Sequence, residues 1–173
     1  DNHKDNVIDN TEWIIAGNPD KYDVVGAFRE LGSIDWVQSA NIAVGDIVYI
    51  YVSNTVRAIQ FKCKVNAVNK AIPTIDDHKF NKSGEFDGSK GRYMELEMIE
   101  EFSTGLFEKR MLEQHGFKSP MGPVRVSAKV KEYLDIVQKV LHVEEMNPES
   151  HDATYELIRE VIKSYRAMGD LSI

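Results

Sequence analysis

Six consecutive residues, Ile47 to Val52 (IVYIYV), are all β-branched or aromatic. That composition suits a pleated strand and disfavours a helix. A strand apolar on both faces needs cover on both sides, so it belongs inside a sheet. Gly45-Asp46 punctuates its start. No Pro interrupts it or the FKCKV run at 61–65, so nothing demotes either to a sheet edge. The rest of the chain must fold around this pair.

Trp13 to Ala16 (WIIA) reads as a short strand that ends at the turn Gly17-Asn18-Pro19. Tyr22, Val25, Phe28 and Leu31 recur three apart, which predicts a helix over 20–31, opened near Pro19 and stopped by Gly32. Ile34 to Val37 is a brief extended piece. Residues 58–68 alternate, with Ile59, Phe61, Cys63 and Val65 on one face and Gln60, Lys62, Lys64 and Asn66 on the other, as in a half-buried antiparallel strand. Residues 92–99 repeat the pattern, with Tyr93 out of phase with Met94, Leu96 and Met98. Residues 76–91 and the run FKSPMGPVRVS (117–127) read as loops, with a short helix predicted over 108–116. Ser127 caps a predicted helix carrying Val130, Tyr133, Leu134, Val137 and Leu141, and a second follows Asn147-Pro148. The order implies an α+β domain, a twisted sheet or small barrel followed by a C-terminal helical pair. The polar run at 1–11 reads as a loose tail, as though cut from a longer protein.

Several function classes lose support at this level. The single cysteine, Cys63, rules out an intramolecular disulfide, fits a reducing cytoplasmic compartment, and reads as a small buried hydrophobe. No apolar stretch reaches membrane-spanning length, so no membrane partner is expected. The formal net charge of -7 argues against broad attraction to nucleic acid, though not against a small basic face. The five histidines show no zinc spacing, and no phosphate-cradling glycine loop or GxSxG elbow occurs. Neither a catalytic centre, a metal nor a cofactor is expected. Aromatic rings remain as the chemistry-bearing groups. Trp13 and Tyr49 read as core. Trp36, set between Asp35 and Gln38-Ser39, reads as a pocket wall on which a flat ligand could stack.

The segments WIIAGNPDKYD, IDWVQSAN, VGDIVYIYVS, FKCKVNAV and GPVRVS resemble the EVE family of the PUA-like superfamily, over roughly residues 12–128. The resemblance implies a PUA-like small, partly open β-barrel with surrounding helices, leaving 129–173 as a helical extension. It further implies a non-catalytic reader of a modified base, chiefly modified cytosine in DNA, flipped into an aromatic pocket. A fused or associated restriction nuclease would then be the partner. Carried onto this chain, the base pocket comprises Asn18, Pro19, Trp36, Ser39, Tyr51 and Ser53. Backbone contacts would come from Lys62, Lys64, Lys90, Arg92 and Arg125. Two alternatives stand beside it: an RNA-binding module using the same ring-lined slot, and a structural or protein-interaction module acting through the C-terminal helices.

Overall fold

The computed structural model describes residues 10–83 and 91–146. Lys90, most of the N-terminal tail and the residues of the second helix expected after Asn147-Pro148 lie outside the described residues. The described chain forms two compact units.

The first unit, which takes in the chain to Leu106 and Ser119–Arg125, is a mixed sheet of six strands. They are β1 (Glu12–Gly17), β2 (Ser33–Val37), β3 (Ile47–Val52), β4 (Ala58–Lys70), β5 (Tyr93–Glu101) and β6 (Val124–Arg125). The spatial order is β2-β5-β4-β3-β1-β6. The IVYIYV strand lies inside the sheet, as its two apolar faces demand. β1 and β3 run parallel, and every other pair is antiparallel. A parallel pair needs a long crossover; here helix α1 (Val24–Leu31) and β2 fall within it.

Two local features depart from the periodicity reading. The helix starts at Val24, not at residue 20. Asp23 caps it by accepting from the Gly26 amide at 3.0 Å, and the preceding residues form a turn in which the Lys21 and Tyr22 amides donate to the Asn18 carbonyl. The buried helix face is therefore Val24, Ala27 and Phe28, with the Phe28 ring 4.9 Å from that of Phe61, while Leu31 is exposed. The second departure is a β-bulge. Ile50 pairs with Phe61, but Tyr51 pairs with Ile59, which leaves Gln60 as the extra residue. Ile59 consequently shares a face with Tyr51, opposite Phe61, Cys63 and Val65.

The larger core gathers Trp13, Ile15, Val48, Ile50, Phe61 and Leu96 against the α1 face. Cys63 is fully buried there, and burial pushes its thiol pKa up, so the group stays protonated and unreactive. Asp46 holds the entry to β3. Its buried carboxylate accepts from Trp13 Nε1 at 3.0 Å, from the Ala43 amide at 3.0 Å and from the Thr11 amide at 3.1 Å. Removing that acceptor leaves several donors short of a partner, at about 1–3 kcal/mol for each buried one. Asp46→Ala should thus lower unfolding free energy by about 2–4 kcal/mol, measured by urea denaturation. A loss under about 0.5 kcal/mol would contradict this role.

The second unit contains helices α2 (Lys109–Glu113) and α3 (Ala128–Met146). Ser127 Oγ accepts from the Val130 amide at 3.4 Å, and Val130, Tyr133, Leu134 and Val137 are buried at the predicted spacing. The Tyr133 ring stacks on His115 at 4.4 Å and meets Phe107 edge-on at 5.7 Å. Burial depresses the His115 pKa below its ordinary 6.5. The unfolded chain then binds the proton more readily than the folded one. Stability is therefore full above pH 6.5 and declines as pH falls toward the depressed folded value. His115→Gln should flatten that part of the stability-against-pH curve, read from Tm between pH 7.5 and about 5. An unchanged slope would exclude His115 as its source. Among the described residues, no helix is long and apolar enough to cross a membrane.

Candidate functional site

In a flat sheet of this order, β2 and β1 would lie four strand spacings apart, about 19 Å at ~4.8 Å each. Instead they meet. A Cβ placed on Gly17 of β1 would stand 3.3 Å from Cη2 of Trp36 on β2. The sheet therefore curls until β2 and β1 approach, yet the seam between them is not closed by a β-ladder. β2 pairs with β5, and the far side of β1 pairs with β6 over Trp13 and Ile14. The product is a small, partly open barrel, as the PUA-like expectation required.

A recess of about 200 Å³ opens at this seam. Ile15 and Ala16 of β1 line it, with Trp36 and Val37 of β2, Ser39, and the loop residues Met121, Gly122 and Pro123. Trp36 is half-buried: one part packs on the core and another remains in the recess.

The backbone on both sides of Trp36 is pinned. Asp35 accepts from Lys70 Nζ at 2.5 Å and from the Thr74 and Ile75 amides at 2.7 and 2.8 Å; its side chain is 2 % exposed. Buried Gln38 accepts from the Asn69 amide at 2.8 Å and donates to the Ala40 carbonyl at 3.3 Å. The Tyr22 ring meets Trp36 edge-on at 6.1 Å, a favoured aromatic geometry. Its hydroxyl donates to Asp77 at 2.6 Å. Burial, together with that carboxylate, pushes the phenol pKa up, so the proton is retained in the hydrogen bond. A ring held this way is a fixed wall.

The proposed pocket residues are brought together only in part. Trp36 and Ser39 share the recess. Asn18 and Pro19 instead belong to the turn that follows β1, and Ser53 to the turn that follows β3. Asn18 Oδ1 accepts from the Asp20 amide and from Asn54 Nδ2, the Pro19 carbonyl accepts from Lys82 Nζ, and Ser53 donates to the Gly17 carbonyl. Tyr51 is buried, 2 % exposed, and does not line the recess. Lys62 and Lys64 stand opposite Glu100 and Glu97 on β5, with the Lys62 ammonium 6.0 Å from the Tyr49 ring. Arg92 lies nearer, its guanidinium 3.5 Å from the Ala40 carbonyl, one residue past Ser39. Arg125 pairs with Trp13, its guanidinium 5.5 Å from the indole, two residues past Pro123. Sequence reasoning missed Ile15, Ala16, Val37 and the 121–123 loop. The available signal was the Pro-Met-Gly-Pro run, which places an apolar side chain on a turn.

A second concavity of about 500 Å³ is lined by residues from Pro73 to Asn81, including Asp76, Asp77 and His78. His78 Nδ1 lies 2.5 Å from Asp76 and lowers the pKa of that exposed carboxyl. Among the described residues, no group of three His, Cys, Asp or Glu side chains could hold a metal ion.

No protein-family model matches the chain, and no curated protein matches it in sequence. Solved structures match in fold. A serine-to-alanine mutant of an ASCH protein from Zymomonas mobilis aligns with a TM-score of 0.50 and 10% identity, covering 75% of this chain and 97% of that one. A hypothetical protein from Leishmania major aligns with a TM-score of 0.51 and 14% identity, covering 78% of this chain and 98% of that one. At such identities the likeness is one of fold. It corrects the reading of the chain as an EVE-type methylcytosine reader of a DNA restriction system: the matched structures include an ASCH protein, and the likeness is of fold alone. The quoted strand segments specify a fold, and strand pattern alone does not separate one family from another.

The seam geometry makes Gly17 a spacer for Trp36. Gly17→Val should push the indole out of place, seen as a shift of the Trp36 Nε1–H resonance, and should cost about 1–3 kcal/mol of stability through overpacking. An unmoved resonance would show that the ring does not depend on this gap.

Proposed function

We propose that this chain is a non-catalytic nucleic-acid-binding module that captures one unpaired base at the barrel seam, with single-stranded RNA as its target class. The carrying observation is Trp36, a pinned and half-exposed ring inside a recess of about 200 Å³. That volume is smaller than the ~300–1,000 Å³ of sites for drug-sized ligands. It suits one planar ring system with the remainder of its chain outside.

Charge supports an unpaired strand over a duplex. Flipping a base from a duplex costs a few kcal/mol, which a binder recovers partly through phosphate contacts. Here the net charge is -7, and the cations adjoining the recess are Arg92 and Arg125. Unpaired RNA bases present their faces without that cost. Trp36 would stack on the base, Ser39 would meet its polar edge, and the two arginines would meet flanking phosphates. A buried, protonated Cys63 offers no nucleophile, in keeping with capture without reaction.

Stacking of a base on an aromatic ring contributes about 1–3 kcal/mol. Trp36→Ala should therefore weaken binding of a mixed-sequence single-stranded RNA octamer by about tenfold or more, measured by fluorescence anisotropy with thermal denaturation as a fold control. The matched DNA duplex should bind more weakly than the RNA. Equal binding by Trp36→Ala and the unaltered protein, or preference for the duplex, would refute the reading.

A further inference from the structure

We infer that Met121 is the second wall of the base site, closing over the face of the ring that Trp36 leaves open; this rests on the capture reading above. Stacking on one indole covers only one face of a planar ligand. The other face keeps its water unless the protein supplies a second apolar group. Two side chains in the recess are apolar and yet exposed: Val37 at 43% and Met121 at 104%. Single exposed apolar residues are ordinary. These two differ in bordering the same small recess as the pinned ring, from the two sides of the seam.

The local chain explains how Met121 can act as a cover. It lies in Ser119-Pro120-Met121-Gly122-Pro123. Pro120 is buried and the prolines restrict the backbone on either side. Apart from its two chain neighbours, no atom lies within 4 Å of where a Cβ on Gly122 would stand, so space remains around the loop crest. Beyond Pro123 the chain is fixed by the pairing of Val124 and Arg125 with β1. The loop is thus tethered at its far end and open at its crest. The methionine side chain adds rotatable bonds and a polarizable sulfur that packs well against ring edges and faces. Trp36 supplies the rigid surface, and Met121 adapts to whichever ring lies on it. Specificity among rings would then be modest, since a flexible thioether tolerates differing shapes.

The test uses the complete chain and a mixed-sequence single-stranded RNA octamer. Met121→Ala should leave Tm unchanged, because the side chain is free of packing, while weakening binding by about three- to tenfold. Met121→Leu should restore most of the loss. With methyl-labelled methionines, the Met121 resonance should move upfield on RNA addition as the base ring current reaches it. If Met121→Ala binds like the unaltered protein while Trp36→Ala does not, or if the methyl resonance stays in place at saturation, the inference fails and the capture reading survives. If the unaltered protein does not bind the octamer, both fail together.

Discussion

The meeting of Trp36 with β1 at Gly17 is the contact on which the rest of the architecture turns. Six strands in the order β2-β5-β4-β3-β1-β6 would, if flat, keep β2 and β1 far apart. The twist of the sheet, increased by the bulge at Gln60, brings them together. What these two strands lack is a shared hydrogen-bond ladder. The indole fills part of that gap, and glycine at position 17 leaves it the space. A larger side chain there, or a smaller one at 36, would change the width of the seam. The recess is thus a by-product of incomplete closure, which is why its walls come from strands distant in sheet order.

Rigidity at the seam comes from polar groups that the core cannot leave unpaired. Asp35 ties β2 to Lys70 and to the amides at 74 and 75, and Gln38 ties the next stretch to Asn69. Both act from positions flanking the ring. Asp46 does the same for the start of β3 and, through the Trp13 indole, for β1. Tyr22 links Trp36 to Asp77 in the segment between β4 and β5. Preorganisation of this kind lowers the free energy that ordering the wall would cost in the proposed capture.

Much of the barrel was legible in the sequence because the strands carry strong local signals. IVYIYV reads as interior strand from composition alone, and the alternation at 93–98 fixes which face of β5 is apolar. The helix start was not legible, because Pro19 is a plausible opener and only the backbone shows that residues 18–22 spend themselves in a turn. The phase of Ile59 was hidden by a bulge, which periodicity cannot register. The site was legible in its ring and in Ser39, since a Trp among polar residues marks a boundary between core and solvent. Its other half was not. Ile15, Ala16 and Met121 reach the recess only through sheet curl, which brings strands that are not paired, and a loop far along the chain, up to Trp36. The family was also illegible, since strand pattern specifies a fold and not a family.

The proposed nucleic-acid surface has two candidate faces: the seam with Trp36, and the strand face that carries Lys62 and Lys64. Backbone amide chemical-shift mapping during titration with a single-stranded RNA octamer separates them in one experiment. The account predicts perturbations concentrated at Ile15, Ala16, Trp36 to Ser39, Met121 and Gly122. Perturbations centred on Lys62 and Lys64, or none at saturating RNA, would contradict it.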